Sequence, residues 1–247
     1  MYKKYGKRLL DLLIASIILL ILWPILLLIA IIIKIDSKGP AIFKQVRTGK
    51  NGKEFTLYKF RSMSTSNNFY DVSKEDQITK VGRFIRKTSL DELPQLFNII
   101  KGEMSFIGPR PWIVDYAKLF TKHQKRRLEV LPGITGLAQC SGRNSLNIID
   151  RINIDVEYVN NISLKLDLYI FFKTIKCVIK REGFSNTKSA IHEELKMLEK
   201  QHEKKDDNTK IIYKPKKSKK KNSKADVNYN KSANKNIADG LTIRGEA

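Results

Sequence analysis

Twenty-two consecutive residues, Leu12 to Ile33, carry no charge, and Asp11 and Lys34 close the run. As a straight helix such a run reaches ~33 Å at ~1.5 Å per residue, enough to cross a bilayer core. It is too long for a signal peptide and lacks a small-residue cleavage site. Two features set it apart from a simple crossing. Pro24, near the middle, removes a backbone hydrogen bond and bends a helix. Basic residues flank both ends, with Lys3, Lys4, Lys7 and Arg8 before the run and Lys34, Lys38, Lys44 and Arg47 after it. The positive-inside tendency then places both ends on the cytoplasmic side. A bent helix that enters and leaves one leaflet satisfies both observations. A transmembrane helix kinked at its proline stays open as the alternative.

The second constraint is the acidic pair Asp91-Glu92 in TSLDELPQ. Adjacent carboxylates repel and stay ionised only where cations or a metal compensate them. Lys80, Arg83, Arg86 and Lys87 precede the pair, and Arg110 follows in Gly108-Pro109-Arg110-Pro111. Cations beside carboxylates suit a phosphate substrate, with a carboxylate holding a metal or attacking. Ser89 and Glu92 equally fit a capping box at a helix start, with Asp91 favourable in the first turn. Pro94 argues for a start nearer Glu92 or Leu93, where it is tolerated. Capping and catalysis weigh about the same on local sequence.

Charge widens the argument. Of the net +22, the lysine-rich segment Lys204 to Lys224 contributes +8 and the body up to Glu203 the remaining +14, residues 225–247 being balanced. Such a body favours anionic lipid, nucleotide phosphates or nucleic acid. Cys140 and Cys177 give no disulfide framework, and His123, His192 and His202 show no metal-ligand spacing with them, which argues against a zinc site.

After the anchor, Ala41 to Arg47 and Glu54 to Phe60 read as a hairpin around Asn51-Gly52. Helices are predicted over residues 76–87, 94–101, 112–130, 146–160 and 164–180. In the third, Trp112, Tyr116, Leu119 and Phe120 point inward and Lys122 to Arg127 outward. Pro132 to Asn144 reads as a glycine-rich loop, either a phosphate cradle or an ordinary surface loop. Leu164 to Lys180 fits an amphipathic helix on an anionic membrane surface or a core helix with a solvated lysine face. The predicted divisions are an anchor (1–38), a catalytic body (39–185), a charged helix (186–203) and a disordered lysine-rich tail (204–247).

Together these stretches resemble the small monotopic phosphoglycosyl transferases of the bacterial sugar transferase family. The resemblance runs over residues 1–185, through the basic-apolar segment with Pro24, Phe43 to Arg47, LYKFRSM from Leu57, TSLDELPQLFN, KGEMSFIGPRP from Lys101, PGITGLAQCSGRN and DVEYVNNISLKLDL from Asp155. It implies an α+β, mainly α, monotopic membrane protein with a re-entrant helix-break-helix at Pro24, a short β-hairpin and several interfacial helices. It implies transfer of a sugar-1-phosphate from a UDP-sugar to undecaprenyl phosphate, with UMP released and Mg²⁺ required. The place would be the cytoplasmic face of the bacterial inner membrane, among anionic lipids, as the first membrane step of polysaccharide or glycan assembly. Under that resemblance Asp91 is the nucleophile, and Glu92 holds Mg²⁺ with it or assists the second step. Arg86, Arg110 and Arg143 match phosphate-site arginines, and Lys59 lies in the matching KFRSM stretch. Trp23 stands where many members have Ser, a departure at the helix break. No specific nucleic acid is expected, and the sugar and oligomeric state are unassigned. A reading from another class is a non-enzymatic membrane-anchored protein whose basic tail recruits an anionic partner.

Overall fold

The apolar run forms the middle of a single helix, α1, Lys7–Asp36, entered through a π-helical turn at Tyr2–Gly6. Pro24 lies inside it; the missing N–H leaves the Leu20 carbonyl without its helical donor, yet the chain is helical on both sides. The computed structural model describes residues 2–64, 78–141, 146–180, 194 and 196–201, all within the unit Met1–Asp206.

One stripe of α1 packs on the body along most of its length. Ala15, with Ile18 and Leu19, joins a core of Phe55, Leu57, Leu96, Ile99 and Met104. Ile29 and Ile33 join a second, with Ala41, Phe60 and Ile85. Both helix ends are tied by polar groups. Arg8 donates to the Ile99 and Ile100 carbonyls at 2.6 and 3.1 Å, and Asp11 accepts from the Phe106 N–H at 3.1 Å. At the other end buried Arg61 donates to the carbonyls of Ser37 (2.6 Å) and Lys38 (2.8 Å), and so caps the helix terminus. The opposite face of α1 is bare: Leu20 is 76% exposed and Ile21 65%. Phe84, Phe97, Leu168 and Phe172 add further exposed apolar surface.

The hairpin pairs β1, Ile42–Thr48, antiparallel with β2, Glu54–Phe60, so that Phe43 faces Lys59. Asn51 at φ 57° and Gly52 at φ 76° make the turn, as an Asn-Gly pair permits. The first strand starts one residue later than expected. Helix α2 is Lys80–Lys87, shorter than expected, because Ile78 bridges Met63 and the helix begins only where Thr79 Oγ1 accepts from the Gly82 N–H. Helix α3, Gln95–Lys101, follows Pro94 and ends on Gly102 at φ 83°.

Two expectations fail for identifiable reasons. The predicted helix over 112–130 is broken: α4 spans only Val114–Lys118, and a 3₁₀ segment follows at Gln124–Glu129. Thr121 and Gln124 restart the chain by bonding each other's backbone N–H through their side chains, a capping box the sequence reading had sought at Ser89. Trp112, Tyr116 and Phe120 do point inward, with edge-on ring contacts at 5.0 and 6.4 Å. Arg127 does not point outward; it is buried against Asp155. The expected loop over 132–144 instead contains strand β4, Gly133–Thr135, and helix α5, Leu137–Ser141, while residues 142–145 lie outside the described set. Strand β3, Ser105–Ile107, pairs with β4 in parallel.

Helix α6, Ile148–Asn160, starts at the Asn147 cap, and α7 spans Leu164–Lys180 as expected. Tyr158, Tyr2 and Lys7 converge on Asp167 at 2.8, 2.5 and 2.6 Å, joining α6, α7 and the start of α1. Glu194 and residues 196–201 are helical; the rest of the charged segment and the lysine-rich tail lie outside the described residues. The body is mainly helical with short strands, an α+β architecture carrying one long apolar helix.

Candidate active site

The acidic pair owes its position to a tight turn between α2 and α3. Ser89 adopts φ 58°, ψ 16°, a left-handed conformation costing a non-glycine residue about 1–2 kcal/mol. A 3₁₀ turn, Leu90–Glu92, follows, and the Ser89 side chain makes no capping bond. The capping-box reading is therefore corrected: the backbone turns left-handed at Ser89, so its side chain cannot serve the next helix. Leu90 and Leu93 press into the core beneath α1, leaving the carboxylates at the surface of a cavity.

That cavity has a volume of about 1040 Å³. Asp91, Glu92, Lys59, Arg86 and Arg110 all line it, so five of the residues singled out from the sequence converge. Arg143 lies outside the described residues. Pro24 is elsewhere, inside α1. The long apolar helix α1 contributes Ile18 to the wall, with Phe106, Leu96 and Val178 completing an apolar side.

The two carboxylates are unlike. Glu92 Oε1 accepts from Lys59 Nζ at 2.6 Å, and Arg110 Nη2 stands 3.8 Å away. Lys59 is aimed there from the end of β2 far from the turn, where the hairpin register pairs it with Phe43. Asp91 makes no ion pair among the described residues. Burial pushes its carboxyl above the ordinary range, and Glu92 adds to the rise; Lys59 and Arg86 pull the other way without cancelling it. An under-compensated carboxylate of raised basicity is the better nucleophile of the pair once ionised.

Two carboxylates side by side also form a donor set. Among the described residues no cluster of three or more His, Cys, Asp or Glu could hold a metal. A pair of this kind suits Mg²⁺, which keeps several waters and completes its shell with substrate phosphates. The partial burial of Asp91, which Lys59 and Arg86 offset only in part, is the local feature that a cation would relieve.

Glycine packing brings distant motifs to this wall. A Cβ on Gly133 would stand 2.1 Å from the Gly108 nitrogen, and one on Gly108 would stand 2.5 Å from the Leu131 carbonyl oxygen. The glycines of PGITG therefore serve close backbone packing against Gly108, which places Arg110 beside them. Arg127 Nη2 donates to the Arg110 carbonyl at 2.7 Å and to Asp155 at 2.6 Å.

Trp112, which the sequence marks only as inward-facing, also lines the cavity, as do Arg151 and Asp155, to which the sequence assigns no role. A signal existed: Arg151 and Asp155 are four apart on α6, interleaved with the buried Ile148, Ile152 and Val156. Charges at that spacing on an apolar helix face need partners inside the body.

The chain matches the family described as bacterial sugar transferase over residues 2–181. An uncharacterized sugar transferase, EpsL, of Bacillus subtilis is 45% identical over 183 residues, 73% of this chain and 91% of that protein. The UDP-glucose:undecaprenyl-phosphate glucose-1-phosphate transferase of Klebsiella pneumoniae is 46% identical over 182 residues, 68% of this chain but 39% of that protein. For the undecaprenyl-phosphate galactose phosphotransferase of Salmonella typhimurium the values are 39% identity, 73% of this chain and 42% of that protein. The chain thus spans about two fifths of the length of these last two relatives and nearly all of EpsL. With the match running from the start of the apolar helix through α7, this chain belongs to the bacterial sugar transferase family.

Proposed function

We propose that this transferase moves a sugar-1-phosphate from a UDP-sugar to undecaprenyl phosphate through a covalent intermediate on Asp91. The observation that carries this reading is the cavity: an acidic pair, three phosphate-suited cations and a residue of the apolar helix share one wall. The names of the Klebsiella and Salmonella relatives supply the substrate classes.

In the first step an Asp91 carboxylate oxygen attacks the phosphorus attached to the sugar. The bond from that phosphorus to the bridging oxygen breaks, and UMP leaves with its electron pair. In the second step an oxygen of undecaprenyl phosphate attacks the same phosphorus, the bond to Asp91 breaks, and the carboxylate is restored. Arg86 and Arg110 face the charge on the transferring phosphoryl group, whose transfer depends mainly on neutralisation and alignment. Lys59 holds Glu92 fixed beside Asp91. When bound at Asp91 and Glu92, Mg²⁺ would add neutralisation of the diphosphate. Two steps let a soluble donor and a lipid-fixed acceptor use the site in turn.

The membrane arrangement follows from α1. A helix crossing the bilayer would leave its ends ~30 Å apart on opposite faces. Here Arg8 and Asp11 at one end, and Asp36 and Ser37 at the other, are bonded to the same body. That supports a monotopic placement at the cytoplasmic face, with the bare stripe of α1 in lipid and the exposed aromatic residues of α2, α3 and α7 at the interface. The body's basic charge suits anionic lipid there.

Purified protein in detergent, given Mg²⁺ and undecaprenyl phosphate, is expected to release UMP from one or more members of a UDP-sugar panel, with a lipid-linked sugar diphosphate as product. Absence of UMP release from every member would exclude this reading.

A further inference from the structure

The family match ends at residue 181, yet chain beyond it returns to the cavity. Leu198 is wholly buried among Trp112, Tyr116, Phe120, Ile148 and Ile152. Gln201 accepts from Gln124 Nε2 at 2.8 Å. Glu194, on the same segment, accepts from Arg151 Nη2 through one carboxylate oxygen and from the Tyr116 hydroxyl through the other at 3.5 Å. The outlying segment is thus fastened at three points, one of them a cavity residue.

Arg151 is poised for a ligand. Its guanidinium lies over the Trp112 ring at 5.4 Å, and its buried Nε has no hydrogen-bond partner among the described residues. Both side chains line the cavity that holds Asp91. A guanidinium on the cavity wall, held in place against an aromatic plane, suits a phosphate anion. The location selects between the two substrates. Trp112 belongs to a core cluster with no α1 residue, whereas Leu93 and Leu96 at the other wall pack in clusters that include α1. The Arg151–Trp112 wall therefore lies away from the membrane helix, where a soluble donor enters and the polyprenyl chain does not.

We propose that Glu194 is a positioning residue that holds Arg151 for the nucleoside diphosphate of the sugar donor. The inference rests on the transferase reading above. It makes the segment after α7 part of donor binding, although it lies outside the family match.

Full-length protein and its variants are compared by steady-state UMP release and by calorimetric binding of UDP. Glu194→Ala is expected to raise KM for the UDP-sugar about tenfold and weaken UDP binding similarly, with kcat within about twofold and KM for undecaprenyl phosphate unchanged. Glu194→Gln, which keeps the shape and one acceptor oxygen for Arg151 while its amide N–H can donate to the Tyr116 hydroxyl oxygen, recovers most of the loss. Arg151→Ala is at least as damaging, and adding Glu194→Ala to it causes no further loss, the mark of a residue acting through another. Unchanged donor KM and UDP affinity in Glu194→Ala overturn the proposal, as do additive losses in the double variant or a rise confined to the acceptor KM. If no UDP-sugar yields UMP, the transferase reading fails by itself. Weakened UDP binding in Glu194→Ala would then still establish the positioning role, and unchanged binding would refute it.

Discussion

Replacing Asp91 by Asn is expected to lower UMP release by about 10³-fold or more while raising the thermal stability of the metal-free protein. The two effects share one cause. Asp91 is half-buried without an ion pair among the described residues, and its carboxyl is held above the ordinary range by that partial burial. At pH above this raised value the folded protein carries a poorly compensated anion, which the unfolded chain would leave in water. Asparagine removes the charge and keeps the shape, so the variant melts higher in the presence of chelator. The sign follows from linkage: a carboxyl raised on folding favours the folded state at acid pH, and that advantage is lost as pH rises through its folded value. The stability gain therefore shrinks at acid pH, where Asp91 is already protonated. Differential scanning of both proteins with EDTA at neutral and acid pH checks it. A variant that is both fully active and no more stable would mean that Asp91 is neither nucleophile nor strained.

The acidic pair illustrates what could be read in advance. Its proximity to Lys59, Arg86 and Arg110 was legible because motifs rich in charge and glycine announce themselves by residue type. The unequal surroundings of its two carboxylates were not, the resemblance alone having separated their roles; they depend on Lys59 reaching Glu92 from β2, and on a left-handed turn at Ser89 that no local pattern marks. Helix ends governed by short-range capping were partly legible: α7 matched, α6 began at its Asn147 cap, and α2 began at Thr79 because a bridge consumed the preceding residue. Arg127 was misplaced because helical periodicity assigns faces only where the helix is continuous, and here it stops at Lys118. The packing of Leu198 depends on contacts 46 to 86 residues away along the chain, from Ile152 back to Trp112, beyond the reach of any local signal.

Arg127 carries the second large effect. It donates through Nε and Nη2 to Asp155 Oδ2 at 3.1 and 2.6 Å, and its guanidinium packs over the rings of Trp112 and Phe120, 5.4 and 5.5 Å from their centroids. Burial pulls the Arg127 guanidinium down and pushes the Asp155 carboxyl up, and mutual attraction offsets only part of either shift. The pair is therefore costly to bury, but a lone member is costlier. Arg127→Met should destabilise the protein by about 3–5 kcal/mol, a fall in Tm of roughly 6–20 °C for a body of this size. Arg127→Met combined with Asp155→Leu should regain most of that stability, because the isolated charge is gone. It should not regain full donor affinity, since the tie from Arg127 to the Arg110 carbonyl is lost with it. Thermal melts in detergent, with donor KM measured on the double variant, separate the two roles. A single variant that melts like the parent would show that the pair does not anchor this wall.

The non-enzymatic reading, in which the basic tail alone carries the function, gains no support from a cavity built around a raised carboxyl and membership in a transferase family. Within the enzyme reading the open choice is between attack by Asp91 and direct attack by the lipid phosphate. Mass spectrometry of the protein incubated with an active UDP-sugar, Mg²⁺ and no acceptor distinguishes them. The covalent route predicts a sugar-phosphate adduct on the peptide containing Asp91, one UMP released per adduct, and loss of the adduct when undecaprenyl phosphate is added. Full turnover with acceptor present, but neither adduct nor UMP in its absence, would contradict it.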